Sequence, residues 1–326
     1  MLVSGGLFLL TFALIETNVH PWFSPYTLSL GALAVVLLAA FLVHEAHTAH
    51  PMVPLGLFKD RIFSSANALY MLAYAALAGM FFFVTLYFQN VKGWSAVRTG
   101  LSWILLNAPF LAIAPFAGRI VKRYGMARTV SVGFVIAGVG TLGLGRLDVE
   151  SSYAAAWPWY LLCGLGYGML VPAVSSAAMS AVPADHSGAG SGIFNSSRQV
   201  GAAVGLAVLG SLSVAAASRA WRASLGAFPE AARARAAALV QQVAGGEGPA
   251  VAAAVGPGAL APAFDAFVAG YRVALLIAGL LLLLGAAVAV TGLRARRSRL
   301  RRRASCAKLC AIPTPTSSPF HPPVKE

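Results

Sequence analysis

An all-α protein that crosses a membrane several times is the fold class that the sequence predicts, and three observations support it. Only 10% of the 326 residues are charged, against about a quarter in soluble globular domains. Apolar residues make up 58% of the chain, and the mean hydropathy is +0.75. They form long continuous runs, which fit helices and not the alternating strands of a membrane barrel. The same composition excludes soluble, disordered, collagen-like and disulfide-rich secreted proteins.

Charge-free stretches mark about eight transmembrane helices, because an ionised side chain in hydrocarbon costs several kcal/mol. The stretches are 1–15, 17–44, 62–91, 99–118, 129–145, 151–184, 199–218 and 273–293. Each contains an apolar core near the roughly 20 residues that cross a bilayer as a helix, and the first is the shortest. Pro109 and Pro115 predict a bend in the fourth, since proline removes a backbone hydrogen bond.

Basic residues are unevenly divided between the two sets of loops that eight helices produce. The face with both termini has 16 Lys and Arg, and the opposite face has 8. Without the last 33 residues and the segment 219–272 the numbers are 7 and 3. Cytoplasmic loops are enriched in Lys and Arg, so we expect both termini in the cytoplasm and the protein in the cell membrane.

The net charge of +14 is concentrated near the end of the chain. Nine of the 24 Lys and Arg lie in residues 294–326, directly after the last span. A run of Arg in that position is typical of a segment that meets anionic lipid. We therefore expect this basic segment to interact with the lipid bilayer and not with nucleic acid.

Three regions follow from this division of the chain. Residues 1–61 contain two spans and a cytoplasmic linker, and residues 62–293 contain six spans. Within the second region, 219–267 is rich in Ala, Gly and Pro, and we expect an extracytoplasmic loop in which 230–244 could form a surface helix. Residues 294–326 form a basic, proline-rich tail that we expect to be disordered and cytoplasmic.

Two glycine patterns lie within the spans. Gly164, Gly166 and Gly168 match half of a dinucleotide-binding fingerprint, but no strand precedes them and no acidic residue follows at the ribose spacing. Small residues that let two membrane helices approach closely are the favoured interpretation. The same interpretation applies to Gly201 and Gly205, which form a Gly-x-x-x-Gly pair.

Residues for catalysis or metal binding are sparse. His44, His47 and His50 follow the second span, where histidines at the membrane interface are favoured over a metal site because Pro51 ends any helix. The spans contain no Ser-His-Asp set, and Asp and Glu are almost absent from them. We expect no enzyme activity, no cofactor and no metal.

The third span carries a polar and aromatic face. Steps of three and four residues connect the following positions on one face: Asn67, Tyr70 or Met71, Tyr74, Ala78, Phe81 or Phe82, and Thr85. Such groups in a membrane helix face either a cavity or a neighbouring helix, where amides and hydroxyls find partners. Both interpretations are open at this point.

A short basic loop follows the fourth span and reads GRIVKRYGMAR. Its positions of interest are Gly118, Arg119, Arg123, Gly125 and Arg128. The string resembles a loop signature of the major facilitator superfamily, roughly G-R-[LI]-x-D-R-x-G-x-R. Lys122 replaces the usual acid. The two glycines are consistent with a tight turn that joins two spans.

Three further stretches resemble the fourteen-helix drug:proton antiporter branch of that superfamily. They are HPMVPLGLFKDRIF at 50–63, LYFQNVKGWSAVRTGL at 86–101 and SGAGSGIFNSSRQVGAAVGLAVLG at 187–210. The resemblance covers only the C-terminal half of the family, helices seven to fourteen. It implies that the first two spans are the two extra central helices of the branch. The next six would be its second six-helix bundle.

The resemblance also implies a substrate site near the membrane midplane, between two pseudo-symmetric bundles. The third, fourth, sixth and seventh spans would line it. The candidate lining residues are Asn67, Met71, Tyr74, Asn107, Tyr167, Asn195 and Gln199. An apolar, aromatic cavity of this kind suits small lipophilic or cationic substrates.

The function that the resemblance implies is proton-coupled multidrug efflux, of which this chain would be the C-terminal half. The alternative is a truncated, non-transporting membrane fragment or scaffold. Proton coupling needs a carboxylate that titrates as the cavity alternates, and the predicted spans from 62 onward contain no Asp or Glu. We therefore expect coupling to protons only if an N-terminal-half partner supplies the missing half. A homodimer would supply a partner bundle but no carboxylate.

Overall fold

The computed structural model describes residues 2–16, 24–48 and 55–293. Within these residues it contains α-helices and short 3-10 or π segments and no strand, which confirms the all-α prediction. The helices are α1 (Leu2–Glu16), α2 (Pro25–His47), α3 (Arg61–Leu86), α4 (Ala96–Ser102), α5 (Ile104–Ile113), α6 (Ala117–Tyr124), α7 (Met126–Leu144), α8 (Tyr153–Ser180), α9 (Ser187–Ser224), α10 (Glu230–Ala238), α11 (Val240–Ala244), α12 (Gly248–Val255) and α13 (Leu260–Gly292). The tail predicted at 294–326 lies outside the described residues.

In the part of the chain that the structure describes, seven helical stretches are long and apolar enough to cross a membrane, so the multi-pass prediction is confirmed. They are Pro25–Glu45, Arg61–Val91, Ala96–Tyr124, Met126–Leu144, Tyr153–Ser180, Ala184–Ala227 and Pro257–Gly292. The first predicted span is the 15-residue helix α1, which is shorter than the roughly 20 residues a bilayer requires. Helix α1 packs along α2 and also contacts α9.

The fourth span is interrupted, as its prolines predict. It is built from α4, α5 and α6, with a break at Trp103 and a 3-10 turn at Ala114–Phe116. Pro109 lies inside α5, and Pro115 lies in the 3-10 turn. Proline donates no backbone hydrogen bond, so the helical ladder changes pitch at these points.

Six spans pack into one bundle around a continuous apolar core. Helix α3 contacts α9, α13 and α8, while α7 lies between α8 and α13, and α5 packs against α8. The largest fully buried side chains of this core include Tyr160, Tyr167, Phe134 and Met80. The core therefore extends from α3 through α8 to α7 and α13.

The long segment at 219–267 is not an irregular loop. Helix α9 continues to Ser224 and α13 begins at Leu260, so the last two spans are longer than their charge-free stretches. Charged residues ended the predicted spans, whereas these side chains lie on exposed helix positions in the structure. The helix expected at 230–244 is present as α10 and α11, separated at Leu239.

This segment has a small core of its own. The ring of Trp221 is fully buried beside Phe228, and its Nε1–H donates to the carbonyl oxygen of Ala236 at 2.8 Å. Val243 and Val251 complete the cluster with alanines of α13. The Nδ2 of Asn90 donates to the carbonyl oxygen of Gly245, which ties the segment to the end of α3.

Contacts sort the loops into two ends of the bundle. At the first, which we name the basic end, Nη2 of Arg61 donates to the carbonyl oxygen of Thr291 at 2.8 Å. At the other, the aromatic end, Tyr87 donates to the carbonyl oxygen of Asp148 at 2.6 Å and Tyr271 to that of Leu144 at 2.8 Å. The turn at Gly125 and the 181–186 connection belong to the basic end. The connections 87–95 and 145–152 belong to the aromatic end. The topology prediction groups the loops in the same way.

Candidate functional site

Helices α3 and α9 run parallel at backbone contact, with a constant register along their interface. Met71 lies opposite Gly201, and Ala75 lies opposite Gly205. A β-carbon at Gly201 would lie 2.5 Å from the carbonyl oxygen of Met71, and one at Gly205 would meet Ala75 more closely still. Both glycines therefore act as the small residues of a close helix pair, as the sequence predicts.

Asn67 is buried at the start of this interface. Its Nδ2 donates to the carbonyl oxygen of Phe63 at 2.8 Å, and its Oδ1 accepts from the hydroxyl of Ser197 at 2.8 Å. The amide thus satisfies its own helix and bonds across to α9, which is how a polar group is accommodated within a span. In this structure Asn67 takes part in helix packing.

A cluster of aromatic and basic side chains follows one turn further along. The rings of Tyr70 and Phe194 stack at a centroid distance of 3.9 Å, and Tyr70 meets Tyr74 edge-on at 4.7 Å. The guanidinium of Arg198 lies 5.4 Å from the centroid of the Tyr74 ring, within cation–π range. Tyr70 is buried, whereas Tyr74 and Arg198 are half-buried.

Asn195 holds the guanidinium of Arg198 in place. Its Oδ1 accepts from Nε at 3.1 Å and from Nη2 at 2.9 Å. Asn195 itself is exposed, and so is Gln199 one turn later on the same helix. Three polar side chains of α9 therefore border an open part of the bundle surface beside Tyr74. We name this surface, formed by Tyr74, Asn195, Arg198 and Gln199, the α3–α9 face.

The remaining predicted lining residues lie in different surroundings. Met71 is half-buried, and its backbone contacts Gly201. Tyr167 is fully buried, and its hydroxyl lies 3.5 Å from the carbonyl oxygen of Ala73. Asn107 is exposed on α5, where its Nδ2 donates to the carbonyl oxygen of Trp103 at 3.0 Å. The structure brings Asn67, Met71, Tyr74, Asn195 and Gln199 to the two facing helices α3 and α9, with Tyr167 behind α3 and Asn107 on a separate helix.

Arg198 is the site residue that sequence reasoning missed. The predicted seventh span begins directly after its charge, so the sequence places Arg198 in the preceding loop. The structure places it well inside α9, next to the aromatic side chains of α3. The available signal was its position in the string NSSRQ, where two of the candidate lining residues flank it.

The basic loop is shorter than its sequence pattern indicates. Gly118 and Arg119 lie inside α6, which continues to Tyr124, and the turn is formed by Gly125 with φ +90°. A residue other than glycine is strained at that φ, whereas Gly118 has no such requirement. The guanidinium groups of Arg119 and Arg123 lie over the rings of Phe116 and Tyr124 at 5.3 and 5.5 Å. Arg128 is exposed in the first turn of α7.

The glycines of GLGYG pack α8 between two helices. A β-carbon at Gly168 would lie 2.9 Å from the carbonyl oxygen of Phe110 on α5, and one at Gly166 would lie 2.7 Å from that of Gly133 on α7. Gly164 likewise meets the backbone of Leu106. These contacts confirm the close-packing interpretation of the pattern.

Histidines near the end of α2 show no metal-binding arrangement. His44 and His47 are exposed, and Nδ1 of His47 lies 2.8 Å from the carbonyl oxygen of Val43. His50 lies outside the described residues. Among those that the structure describes, no group of three or more His, Cys, Asp or Glu is placed to hold a metal ion.

Two charged residues at the aromatic end have shifted pKa values. The hydroxyl and backbone N–H of Ser151 donate to Oδ1 of Asp148 at 2.7 Å each, and these bonds lower the pKa of Asp148. Partial burial lowers the pKa of Lys92, whose Nζ donates to the carbonyl oxygen of Val149. Both groups stabilise the connection between α7 and α8.

Known proteins that resemble this chain are named for drug resistance, and one of them also for export. It is 32% identical to the tetracenomycin C resistance and export protein of Streptomyces glaucescens over 212 residues, which is 65% of this chain and 39% of the relative. It is also 32% identical to the multidrug resistance protein Stp of Mycobacterium tuberculosis, over 63% of this chain and 38% of that protein. The puromycin resistance protein pur8 of Streptomyces alboniger is 30% identical, over 71% of this chain and 46% of its own length.

The chain thus spans less than half the length of the curated relatives that it matches. The part that matches a family model, residues 1–206, covers α1 to α8 and the first half of α9, including every residue of the α3–α9 face. The family described by that model is the Major Facilitator Superfamily, and this chain belongs to it.

Proposed function

We propose that this chain forms the C-terminal part of a drug exporter and that the α3–α9 face is its substrate side. The observation that carries the proposal is that Asn195 and Gln199 are exposed beside the half-buried Tyr74, within helices that are long enough to span a membrane. Such side chains in a span usually face protein or a water-filled cavity, and not lipid. The resistance and export names of the relatives are consistent with this use.

The division of the chain follows the same proposal. Residues 1–61 supply the two extra central helices and a cytoplasmic linker, and 62–293 supply the six-helix transporter bundle with its extracytoplasmic segment 219–267. Residues 294–326 are a cytoplasmic tail. A first bundle, from another polypeptide or from a second copy of this chain, would face the α3–α9 face, and Met71, Asn107 and Tyr167 would border the cavity when it opens.

The substrates we propose are small lipophilic compounds that enter from the bilayer. Coupling to protons requires a buried carboxylate within the transporting bundle, and helices α3 to α9 contain no Asp or Glu. Glu16 and the buried Glu45 lie in the last turns of α1 and α2, outside the six-helix bundle. Asp265 lies on α13 but is exposed and only about 8 Å from the start of that helix. We therefore assign proton coupling to the first bundle.

A binding experiment on the whole chain tests the proposal. Residues 1–326 are purified into phosphatidylcholine nanodiscs and titrated with N-phenyl-1-naphthylamine, a neutral lipophilic probe, with empty discs subtracted. We expect saturable binding that puromycin or tetracenomycin C displaces. Binding that never exceeds the empty discs would contradict a substrate face in this chain and favour the alternative of a non-transporting scaffold.

Transport is tested in a host without its own drug pumps. The chain is expressed alone and together with the N-terminal half of the tetracenomycin relative, and efflux of the neutral dye N-phenyl-1-naphthylamine is followed with and without a proton uncoupler. Efflux is expected only from the pair. Uncoupler-sensitive efflux from the chain alone would overturn the assignment of coupling to the first bundle.

Orientation has its own measurement, because the basic end is proposed to be cytoplasmic. Single cysteines at Ser95 and Ser151, at the aromatic end, should react with an impermeant thiol reagent added outside intact cells. A cysteine at Ser187, at the basic end, should react only after the cells are opened. The opposite labelling pattern would invert the topology.

A further inference from the structure

Arg198 is a cation within a membrane-spanning helix, and the proposed function leaves its role open. It lies about 16 Å along the axis from the first residue of α9, at 1.5 Å per residue. Its neighbours across the interface are the aromatic rings of Tyr70 and Tyr74. An ionised side chain is costly where it faces hydrocarbon, so such residues in membrane-spanning helices usually pair within the protein or mark a substrate or ion path.

The charge of Arg198 has no acidic counterpart in the described part of the chain. No carboxylate there lies within 4 Å of its guanidinium, and the nearest polar partner is the neutral amide of Asn195. Helices α3 to α9 contribute no Asp or Glu at any position. Arg198 is the charged member of the α3–α9 face, so Coulomb attraction there favours an anionic ligand over a cationic one.

The geometry leaves part of the guanidinium available to a ligand. Nε and Nη2 donate to Asn195, and the ring of Tyr74 covers one side, while Nη1 donates to none of the described residues. Arg presents five N–H donors in a rigid fork that suits carboxylate, sulfonate and phenolate oxygens. Tyr74 beside it offers an aromatic surface for the apolar body of the same ligand.

We propose that Arg198 is the specificity-determining residue of the α3–α9 face and that it selects amphiphiles with an anionic group over organic cations. This proposal rests on the function proposed above, because it needs the face to meet substrate. It replaces the expectation of lipophilic or cationic substrates for this half with lipophilic anions and weak acids. Asn195 acts as a positioning residue, since it orients the guanidinium without using its remaining donors.

Two probes that share an aromatic framework test the proposal. They are 8-anilinonaphthalene-1-sulfonate, an anion, and N-phenyl-1-naphthylamine, which lacks the sulfonate. Both are titrated against the full chain in phosphatidylcholine nanodiscs. We expect R198Q to weaken binding of the anion about tenfold, as the loss of a hydrogen bond to a charged group would, and to change binding of the neutral probe less than twofold.

Variants separate the role of this charge from general effects. R198K keeps the charge without the fork and should lose less affinity for the anion than R198Q. R128Q removes an exposed charge from the basic end and should leave both probes unchanged. Equal weakening of both probes by R198Q, or an unchanged affinity for the anion, would overturn the proposal. The proposed function stands in either case if the unchanged chain binds the neutral probe.

Anionic lipid is a second source of the same chemistry. The titration is repeated in discs that also contain phosphatidylglycerol. If the anionic probe keeps its Arg198-dependent affinity, the residue serves substrate. If phosphatidylglycerol abolishes that dependence, Arg198 binds lipid headgroups and the specificity proposal is wrong.

Discussion

Helices α3 with α9 and α7 with α8 are the two most extensive pairs of the bundle, and they achieve contact by the same means. Gly201 and Gly205 bring α9 against α3, and Gly133 and Gly166 bring α7 against α8. The surroundings differ. The first pair has Arg198, Asn195 and Tyr74 at its edge, whereas the second is closed by apolar side chains such as Cys163 and Leu170. Small residues therefore set the distance between helices in both pairs, and only the polar residues beside them distinguish a binding face from a scaffold.

The largest loss of stability should come from replacing the glycines at the helix contacts with a larger residue. Gly205→Val and Gly166→Val each place side-chain atoms against backbone that cannot yield, so we expect a loss of about 3 kcal/mol or more, or no folded protein. The matched control is Gly210→Val on α9, where a β-carbon meets nothing within 4 Å. Folded yield after detergent extraction and the midpoint of thermal unfolding report the effect. If Gly210→Val is as harmful as Gly205→Val, helix contact is not the cause.

The buried polar groups of the two helix pairs should differ, by a smaller amount, in their contribution to stability. Asn67 accepts a hydrogen bond from Ser197 on the opposite helix. Thr141 donates at 2.9 Å to Ala137 of its own helix and reaches other helices only through the weak sulfur acceptors of Met80 and Cys163. A double-mutant cycle of Asn67→Ala and Ser197→Ala should give a coupling of about 1 kcal/mol, near the range measured between membrane helices. Thr141→Val should cost less than about half of that. A coupling of zero would mean that the interhelical bond does not contribute to the stability of the pair.

Aromatic residues provide the sharpest comparison of the two pairs. Tyr74→Ala should weaken binding of N-phenyl-1-naphthylamine several-fold with little change in folded yield, because Tyr74 is half-buried at the α3–α9 face. Trp159→Ala should do the reverse, since its ring lies against Gly143 inside the α7–α8 pair. Should Tyr74→Ala reduce only the folded yield, Tyr74 is a packing residue and the face has no substrate role there.

The smallest change in stability is expected for a substitution in the loop that joins α7 and α8. Hydrogen bonds from Ser151 lower the pKa of Asp148 in the folded state, so they stabilise the fold above the unfolded pKa of about 4. That stabilisation is lost as the pH falls through the folded pKa. Asp148→Asn should therefore lower the melting temperature slightly at pH 7 and show a shrinking difference from wild type below about pH 4. Glu150→Gln, a change to the neighbouring exposed acid, is the control, and a difference that grows in acid would contradict the assignment.

Much of the fold follows from where charges are absent in the sequence. Apolar runs predict the helices of the bundle, and Pro109 and Pro115 predict the interruption between α4 and α6. The same rule fails at the ends of α9 and α13, because Arg219 and Arg272 occupy exposed helix positions where long side chains can reach polar surroundings. A charged residue therefore marks the end of a membrane-spanning helix only where its side chain would face lipid.

The candidate site was harder to predict than the fold. Spacing on α3 identified Asn67 and Tyr74 as one polar face but could not show that Asn67 bonds to Ser197 while Tyr74 lies at an open edge. The charge pattern predicts Arg198 to be a loop residue, since a single sequence does not show which helix packs opposite it. The register between α3 and α9 supplies that information.

Photolabelling tests most directly the claim that the α3–α9 face meets substrate. The full chain in nanodiscs is irradiated with an azide derivative of N-phenyl-1-naphthylamine, and the labelled peptides are mapped by mass spectrometry with and without an excess of the unmodified probe. We predict that the label suppressed by competition lies on α3 between Asn67 and Ala78 and on α9 between Asn195 and Leu206. Competable label on the lipid-facing positions of α7 and α13, such as Val135 and Leu280, with none on α3 or α9, would contradict the account.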